Sequence, residues 1–424
     1  MLDWLYDFNG GAKEVAVTMI SLALILILGF AMTRLSKRLR LPNVTAYIVT
    51  GILLGPYVLD VIPASFIEGT EFVTDIALAF IAFSVGEHFE FAKLKKTGAK
   101  SVVITLFEAL TASLLVFLLT YSILGLDLVF SIVLAALASA TAPASTMMTI
   151  RQTGARGDYV DTLLQVVAMD DVVGLVAYSV AIAAAASLIS GSSGSPSATS
   201  SFKLIIQPLI INLILMALGA FFAWLLKVMT PTRRTADNRL IIAVAILLLF
   251  SGVAALFDVS PLLGCMMMGM VFANIEGHEK LFKQLNYFSP PILLIFFVRS
   301  GLSFDLGALT SKAMVGSVPL ILVAVLYFLV RFLGKYMGAY AGALVTGKSK
   351  EVKNYLGLAL APQAGVAIGL SFLAARQLGP DVGATLQTII LASSVLYELI
   401  GPASAKLGLY LSGSYEAEKM PPLQ

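Results

Sequence analysis

Apolar runs of about 20 residues recur along almost the whole chain and leave few folds open, because about that length of helix crosses ~30 Å of hydrocarbon. Hydrophobic residues make up 58% of the 424 and charged residues only 12%, so no sizeable soluble domain fits between the runs. A transmembrane β-barrel would alternate in short segments, whereas these runs are continuous and rich in Leu, Ala, Gly and Val. The fold class expected is therefore an all-α polytopic membrane protein. The single cysteine, Cys265, lies inside an apolar run and reads as packing. Two acids precede the first Lys of MLDWLYDFNGGAKEV and no small-residue cleavage site follows, so a cleaved signal peptide is not expected.

Dividing the chain at Gly, Pro and charge clusters gives thirteen spans: 15–33, 44–60, 72–91, 99–124, 128–150, 161–189, 204–228, 238–257, 260–275, 288–307, 314–345, 352–376 and 383–410. Loop charge supplies an independent check, since Lys and Arg gather on the cytoplasmic side. With the N-terminus outside, only Lys13, Lys203, Lys312 and Arg376 of the 28 Lys and Arg fall in outer segments, and Arg299, Arg331 and Lys335 fall inside spans. The rest lie in loops such as RLSKRLR, KLKKTGAK and TGKSKEVK, or in the C-terminal tail. One helix more or fewer would destroy that asymmetry, so an external N-terminus and a cytoplasmic C-terminus in a multi-pass cell (inner) membrane protein are expected. SGSSGSPSATSS, between spans 6 and 7, reads as a flexible linker.

The two halves match in order. FSVGEHFEF in span 3 aligns Gly86 with Gly301 of VRSGLSFDL in span 10, TAPAS in span 5 aligns Pro143 with Pro362 of LAPQA in span 12, and MDDVVG in span 6 aligns Asp171 and Gly174 with Glu398 and Gly401 of LYELIG in span 13. Each match shifts by seven spans, an odd number, so the second half must cross in the opposite sense. That is an inverted-topology repeat, with repeat one at about 15–189, a linker helix at 204–228 and repeat two at about 238–410. The whole is expected to be a single transmembrane domain with no soluble regulatory domain.

Pro143 and Pro362 lie about 12 Å inside their spans, and proline frees backbone carbonyls that hydrocarbon would not tolerate. Paired breaks of this kind point to a midplane binding site made by crossed, unwound helices, with Gln363 beside the second break and the oxygens of Ser139, Thr141 and Ser145 beside the first. Asp170 and Asp171 of AMDDVVGL sit near the membrane centre, about 15 Å from the end of span 6. An ionisable group costs at least ~2.5 kcal/mol there and marks an ion or proton path. Neighbouring helical residues point ~100° apart, so one acid should meet the ion path while the other reaches a partner. Glu108, Arg331, Glu398 and Arg299 fall at comparable depth. Glu108 and Arg331 lie on equivalent spans, so an ion pair or switch between them across the pseudo-symmetry axis is expected. Glu398 and Arg299 are secondary candidates.

VTAYIVTGILLGP, FIAFSVGEHFEF, ASATAPASTMMTIRQTGARG, VVAMDDVVGL, IFFVRSGLSFD and LYELIGP together resemble the monovalent cation:proton antiporters, in the branch with bacterial sodium/proton antiporters and Kef-type systems. The resemblance covers nearly the whole chain. It implies a sodium/proton antiporter fold whose core moves like an elevator against a dimerising scaffold, with Asp171 as the shared cation and proton carrier. Asp-Asp resembles the electrogenic sodium/proton exchangers, whereas Kef-type systems usually carry Gln-Asp, so Asp170 implies more than one proton per cation. Relatives place a Lys or Arg at the position matching Arg331, interacting with an acid of the pair or with a glutamate like Glu108. Thr141-Ala142-Pro143 departs from the Thr-Asp-Pro form of another branch, which shifts ion coordination toward span 6.

The function expected is exchange of a monovalent cation, Na+ first and K+ or Li+ as alternatives, for H+, by a homodimer in the lipid bilayer. Asp170 and Asp171 would be the ligands of the transported metal cation. No other cofactor and no nucleic-acid partner is expected. A sodium-coupled symporter and a non-transporting membrane sensor are the other classes. No nucleophile-base arrangement, phosphate-binding glycine loop or metal-ligand cluster supports an enzyme.

Overall fold

The computed structural model describes residues 13–38, 43–87, 89, 99–142, 146–147, 149–150, 153–191, 198–231, 233–256, 261–275, 279–307, 313–363 and 365–415. Helix lies under each of the thirteen apolar runs. The elements in chain order are α1 (Lys13–Arg38), α2 (Asn43–Leu54), α3 (Ala64–Gly69), α4 (Phe72–Gly86), and α5 (Ala99–Phe117), which continues as a π-helix over Leu118–Ile123. There follow α6 (Leu128–Leu137), α7 (Asp158–Gly191), α8 (Ala198–Met229), α9 (Ala236–Leu256), α10 (Leu262–Ala273), α11 (Glu279–Phe288) and α12 (Pro290–Leu302). A short hairpin, β1 (Met314–Val315) and β2 (Val318–Pro319), leads into α13 (Leu320–Val345), α14 (Lys350–Ala359), α15 (Gly365–Leu378) and α16 (Pro380–Leu411).

Seven of these helices are long and apolar enough to cross a membrane unaided, or eight if α11 and α12, bent by 47°, count as one span. Among the rest, the apolar helices α2, α4, α6, α10 and α15 have only 10 to 17 residues. Sequence boundaries fail where turn chemistry intervenes. The run 44–60 stops as helix at Leu54, since Gly55 and Pro56 open a turn in which Asp60 N bonds to Gly55 O at 2.9 Å. The run 314–345 starts its helix only at Leu320, because Gly316, at φ 61°, folds the hairpin that pairs Val315 with Val318. Helix also runs into the Ser/Gly-rich segment from both sides, α7 reaching Gly191 and α8 starting at Ala198. Asp127 caps α6 by accepting from Phe130 N at 3.1 Å.

Large apolar side chains cover the perimeter, with Leu256 81% and Ile123 74% exposed, which suits hydrocarbon rather than water. Inside, the helices gather into two bodies. One consists of α1, α2, α4 and α8–α12, and the other of α5–α7 and α13–α16. They touch along a thinner seam, where α7 meets α8 and α10, α15 meets α4, and α16 meets α2.

Two backbone crossings organise the first body. Gly51 of α2 lies against Val298 and Gly301 of α12, and Gly86 of α4 lies against Met266 and Gly269 of α10. A side chain at any of these four glycines would run into the facing backbone. In the second body Gly334, Gly338 and Gly342 form a stripe on α13 at one-turn spacing. Cβ atoms at these positions would lie 2.7, 2.5 and 2.7 Å from the Cα atoms of Ala112, Glu108 and Ile104 on α5. The stripe brings α13 into backbone contact with α5 and sets what faces what at the centre.

Candidate functional site

Span 5 breaks after α6, and span 12 breaks between α14 and α15. The two interruptions touch: Ala142 N donates to Pro362 O at 2.9 Å, and Thr146 Oγ1 donates to Ala359 O at 3.0 Å. Pro143 and Ser145 lie outside the described residues. Helices α7 and α16 flank the crossing through small residues, Gly174 packing on Ser139 and Ala140, and Gly401 on Pro362.

An interrupted helix leaves carbonyls without donors, and α13 supplies them. Tyr327, Arg331 and Lys335, spaced one turn apart and all 0% exposed, present one polar stripe to the crossing. Arg331 donates through Nε to Ala138 O at 2.9 Å, through Nη2 to Ala140 O at 2.6 Å and through Nη1 to Ala361 O at 2.9 Å. Its guanidinium stacks on the Tyr397 ring at 4.5 Å. Gln363 donates to Leu137 O at 2.8 Å and shares a hydrogen bond with the Tyr327 hydroxyl. Lys335 Nζ donates to Ser139 O. The carbonyls of Leu137, Ala138, Ser139 and Ala140 each accept from a side chain of α13 or of Gln363.

The ion pair expected between Glu108 and Arg331 is made by Lys335. Its Nζ lies 2.7 Å from Glu108 Oε2 and 2.7 Å from Asp170 Oδ2, with all three side chains 0% exposed. The reason is geometric: the Gly338 contact seats α13 on α5 at Glu108, and Arg331, a turn away, is committed to the carbonyls. Reading the sequence listed Lys335 as a charge inside a span and gave it no role. Its i+4 relation to Arg331 was the signal available.

Asp171 is also 0% exposed, but neither of its carboxylate oxygens has a hydrogen-bond partner among the described residues, and the same holds for Thr141 Oγ1 and Asp170 Oδ1. The adjacent acids therefore divide in keeping with their ~100° separation: Asp170 bonds to Lys335, and Asp171 makes no hydrogen bond among the described residues. Unsatisfied buried oxygens of this kind call for a cation or proton. Ser139 spends its own hydroxyl hydrogen on Ala136 O at 2.6 Å. No group of three or more His, Cys, Asp or Glu is gathered among the described residues.

Glu398 is 1% exposed on α16, between Tyr397, on whose ring the Arg331 guanidinium lies, and Gly401, which abuts Pro362. Arg299 is not at the crossing. It lies near the end of α12, donating to Ile67 O at 3.1 Å and Thr74 Oγ1 at 3.2 Å, with Glu71 at 3.8 Å.

A broken-helix crossing served by buried charge from a neighbouring helix defines a membrane ion transporter rather than an enzyme. The chain belongs to the family described as sodium/hydrogen exchanger, transmembrane, whose profile matches residues 21–401. The fold is similar to that solved for the sodium proton antiporter MjNhaP1 from Methanocaldococcus jannaschii at pH 8, with a TM-score of 0.73 at 20% identity over 94% of this chain and 100% of that one. An electron-microscopy structure of that antiporter superposes at a TM-score of 0.66 with 19% identity, covering 91% and 96% of the two chains. A segment of 110 residues is 34% identical to Cation/H(+) antiporter 19 of Arabidopsis thaliana, spanning 23% of this chain and 14% of that protein.

Proposed function

We propose that the protein exchanges a monovalent cation, Na+ first, for protons, with Asp171 carrying either one. The observation that carries this reading is the Asp171 carboxylate, fully buried on α7, the helix that packs on the crossing through Gly174, with neither oxygen hydrogen-bonded among the described residues. Family membership and the family name support exchange of sodium for hydrogen ions. With all groups ionised, Glu108, Asp170, Asp171, Lys335 and Arg331 sum to one negative charge. One monovalent cation brings that sum to zero, which removes most of the cost of carrying the site through low dielectric.

Asp170 is the second proton position in this reading: two protons in place of one cation leave the five groups one charge more positive, so the cycle is electrogenic, each net charge being driven by ~2.3 kcal/mol per 100 mV. Alternating access is the movement of the α5–α7 and α13–α16 body against the other, elevator fashion. The two bodies each join parts of both halves, and Gly51/Gly301 and Gly269/Gly86 make corresponding crossings, in keeping with inverted repeats. The protein works as a homodimer in the cell membrane with its N-terminus outside. Purified protein in liposomes with a pH gradient should release protons on addition of Na+, and an imposed potential should change the rate. No cation-dependent proton movement with Na+, Li+ or K+ at any pH would reject antiport, and insensitivity to potential would reject electrogenicity.

A further inference from the structure

At one end of the seam, far in sequence from the acids, four charged side chains tie the two bodies together. Arg376, near the end of α15, donates through Nη1 to both Asp75 oxygens on α4, at 2.9 and 3.1 Å, and through Nη2 to Glu71 O at 3.3 Å. The Glu71 carboxylate lies 3.9 Å from Arg376 and 3.8 Å from Arg299. Arg299, 4% exposed on α12, is fixed by Ile67 and Thr74 and lies over the Phe372 ring of α15 at 5.4 Å. A cavity of about 290 Å³ remains between them, lined by Glu71, Arg299, Phe372, Ala375, Arg376 and Gln387.

Deeper along the seam α15 leans on α4 and α12 through apolar contacts: Gly369 abuts Leu78, and Gly365 abuts Phe297 and Ile81. Such contacts allow sliding, because one apolar surface serves nearly as well as another in slightly different registers. The Arg376 guanidinium does not, since its planar fork must meet the Asp75 carboxylate through Nη1 and the Glu71 carbonyl through Nη2 at once.

We infer that Arg376 and Asp75 are positioning residues of the exchange cycle: their pair latches the carrying body to the fixed one at this end, and its opening sets how often the site is exposed there. Glu71 and Arg299 act as the anchored side of the latch. The inference rests on the proposed two-body exchange but does not involve the ion ligands.

The test uses the full chain in liposomes with an Ala375→Cys reporter, the native Cys265 being buried. Arg376→Ala and Asp75→Ala should each raise the rate of Cys labelling by a membrane-impermeant maleimide about two- to fivefold, the range expected from loss of one partly exposed ion pair. Each should shift the apparent KM for the cation by a similar factor, and the exchanged pair Asp75→Arg with Arg376→Asp should restore both values. Thermal unfolding should be nearly unchanged. Wild-type labelling rates in the single variants, or a charge-exchanged pair no better than either single variant, would overturn the latch. If the wild type exchanges no cation at all, antiport fails instead, and the labelling arm still decides whether the latch exists.

Discussion

Lys335 Nζ stands 2.7 Å from Asp170 Oδ2, with both side chains wholly withdrawn from solvent. The same nitrogen lies 2.7 Å from Glu108, so a single cation answers two carboxylates and leaves the adjacent Asp171 with no partner among the described residues. Removing one member of a buried pair strands the other as an uncompensated charge, which costs far more than the pair is worth intact. Lys335→Met should therefore destabilise the protein by about 3–5 kcal/mol at neutral pH, read as a lowered thermal midpoint in detergent. Adding Glu108→Gln to Lys335→Met should recover part of that loss. A double variant as unstable as the sum of the two singles would show that Glu108 and Lys335 do not interact.

Asp171→Asn keeps the shape of the side chain and removes its charge. Because Asp171 makes no hydrogen bond among the described residues, folding stability should change by less than about 1 kcal/mol. Cation-driven proton release should fall to that of empty liposomes. Exchange above that background in a folded Asp171→Asn protein would remove Asp171 from the mechanism.

Arg331→Ala should act in the opposite way, through structure before transport. It uncaps Ala138, Ala140 and Ala361, and each buried acceptor left without a donor costs about 1–3 kcal/mol. Arg331→Lys should rescue little, since one ammonium cannot reach three carbonyls splayed around a planar fork. Faster hydrogen exchange in 137–142 and 359–363 measures the loss directly. Unchanged protection there would mean that the crossing is held by its backbone contact alone.

Gly338 sets the distance between α13 and α5. Gly338→Val should push the helices apart at Glu108, costing about 1–3 kcal/mol or more, and should weaken exchange through the lost Lys335–Glu108 contact. Gly252→Ala in α9 is the control, since no heavy atom lies within 4 Å of the added carbon. It should be neutral or stabilising by up to ~1 kcal/mol. Thermal unfolding of the two variants side by side checks both signs.

The sequence by itself determined the class of fold and the neighbourhood of the site. Apolar runs are read residue by residue from hydropathy, so helix under all thirteen was legible, as was the depth of Asp170 and Asp171 along α7. Pro362 and Gln363 were legible because proline breaks a helix wherever the fold puts it. What lay beyond local reading was every pairing between helices. Whether Arg331 or Lys335 meets Glu108 depends on the register of α13 against α5, which three glycines fix through backbone contact. Arg299 read as a central charge, yet α12 is only 13 residues long and ends just beyond it, placing Arg299 beside Glu71 instead. Only the tertiary structure decided which carbonyls were spoken for and which carboxylate was left over, because a charge inside a membrane takes its meaning from the atoms packed around it.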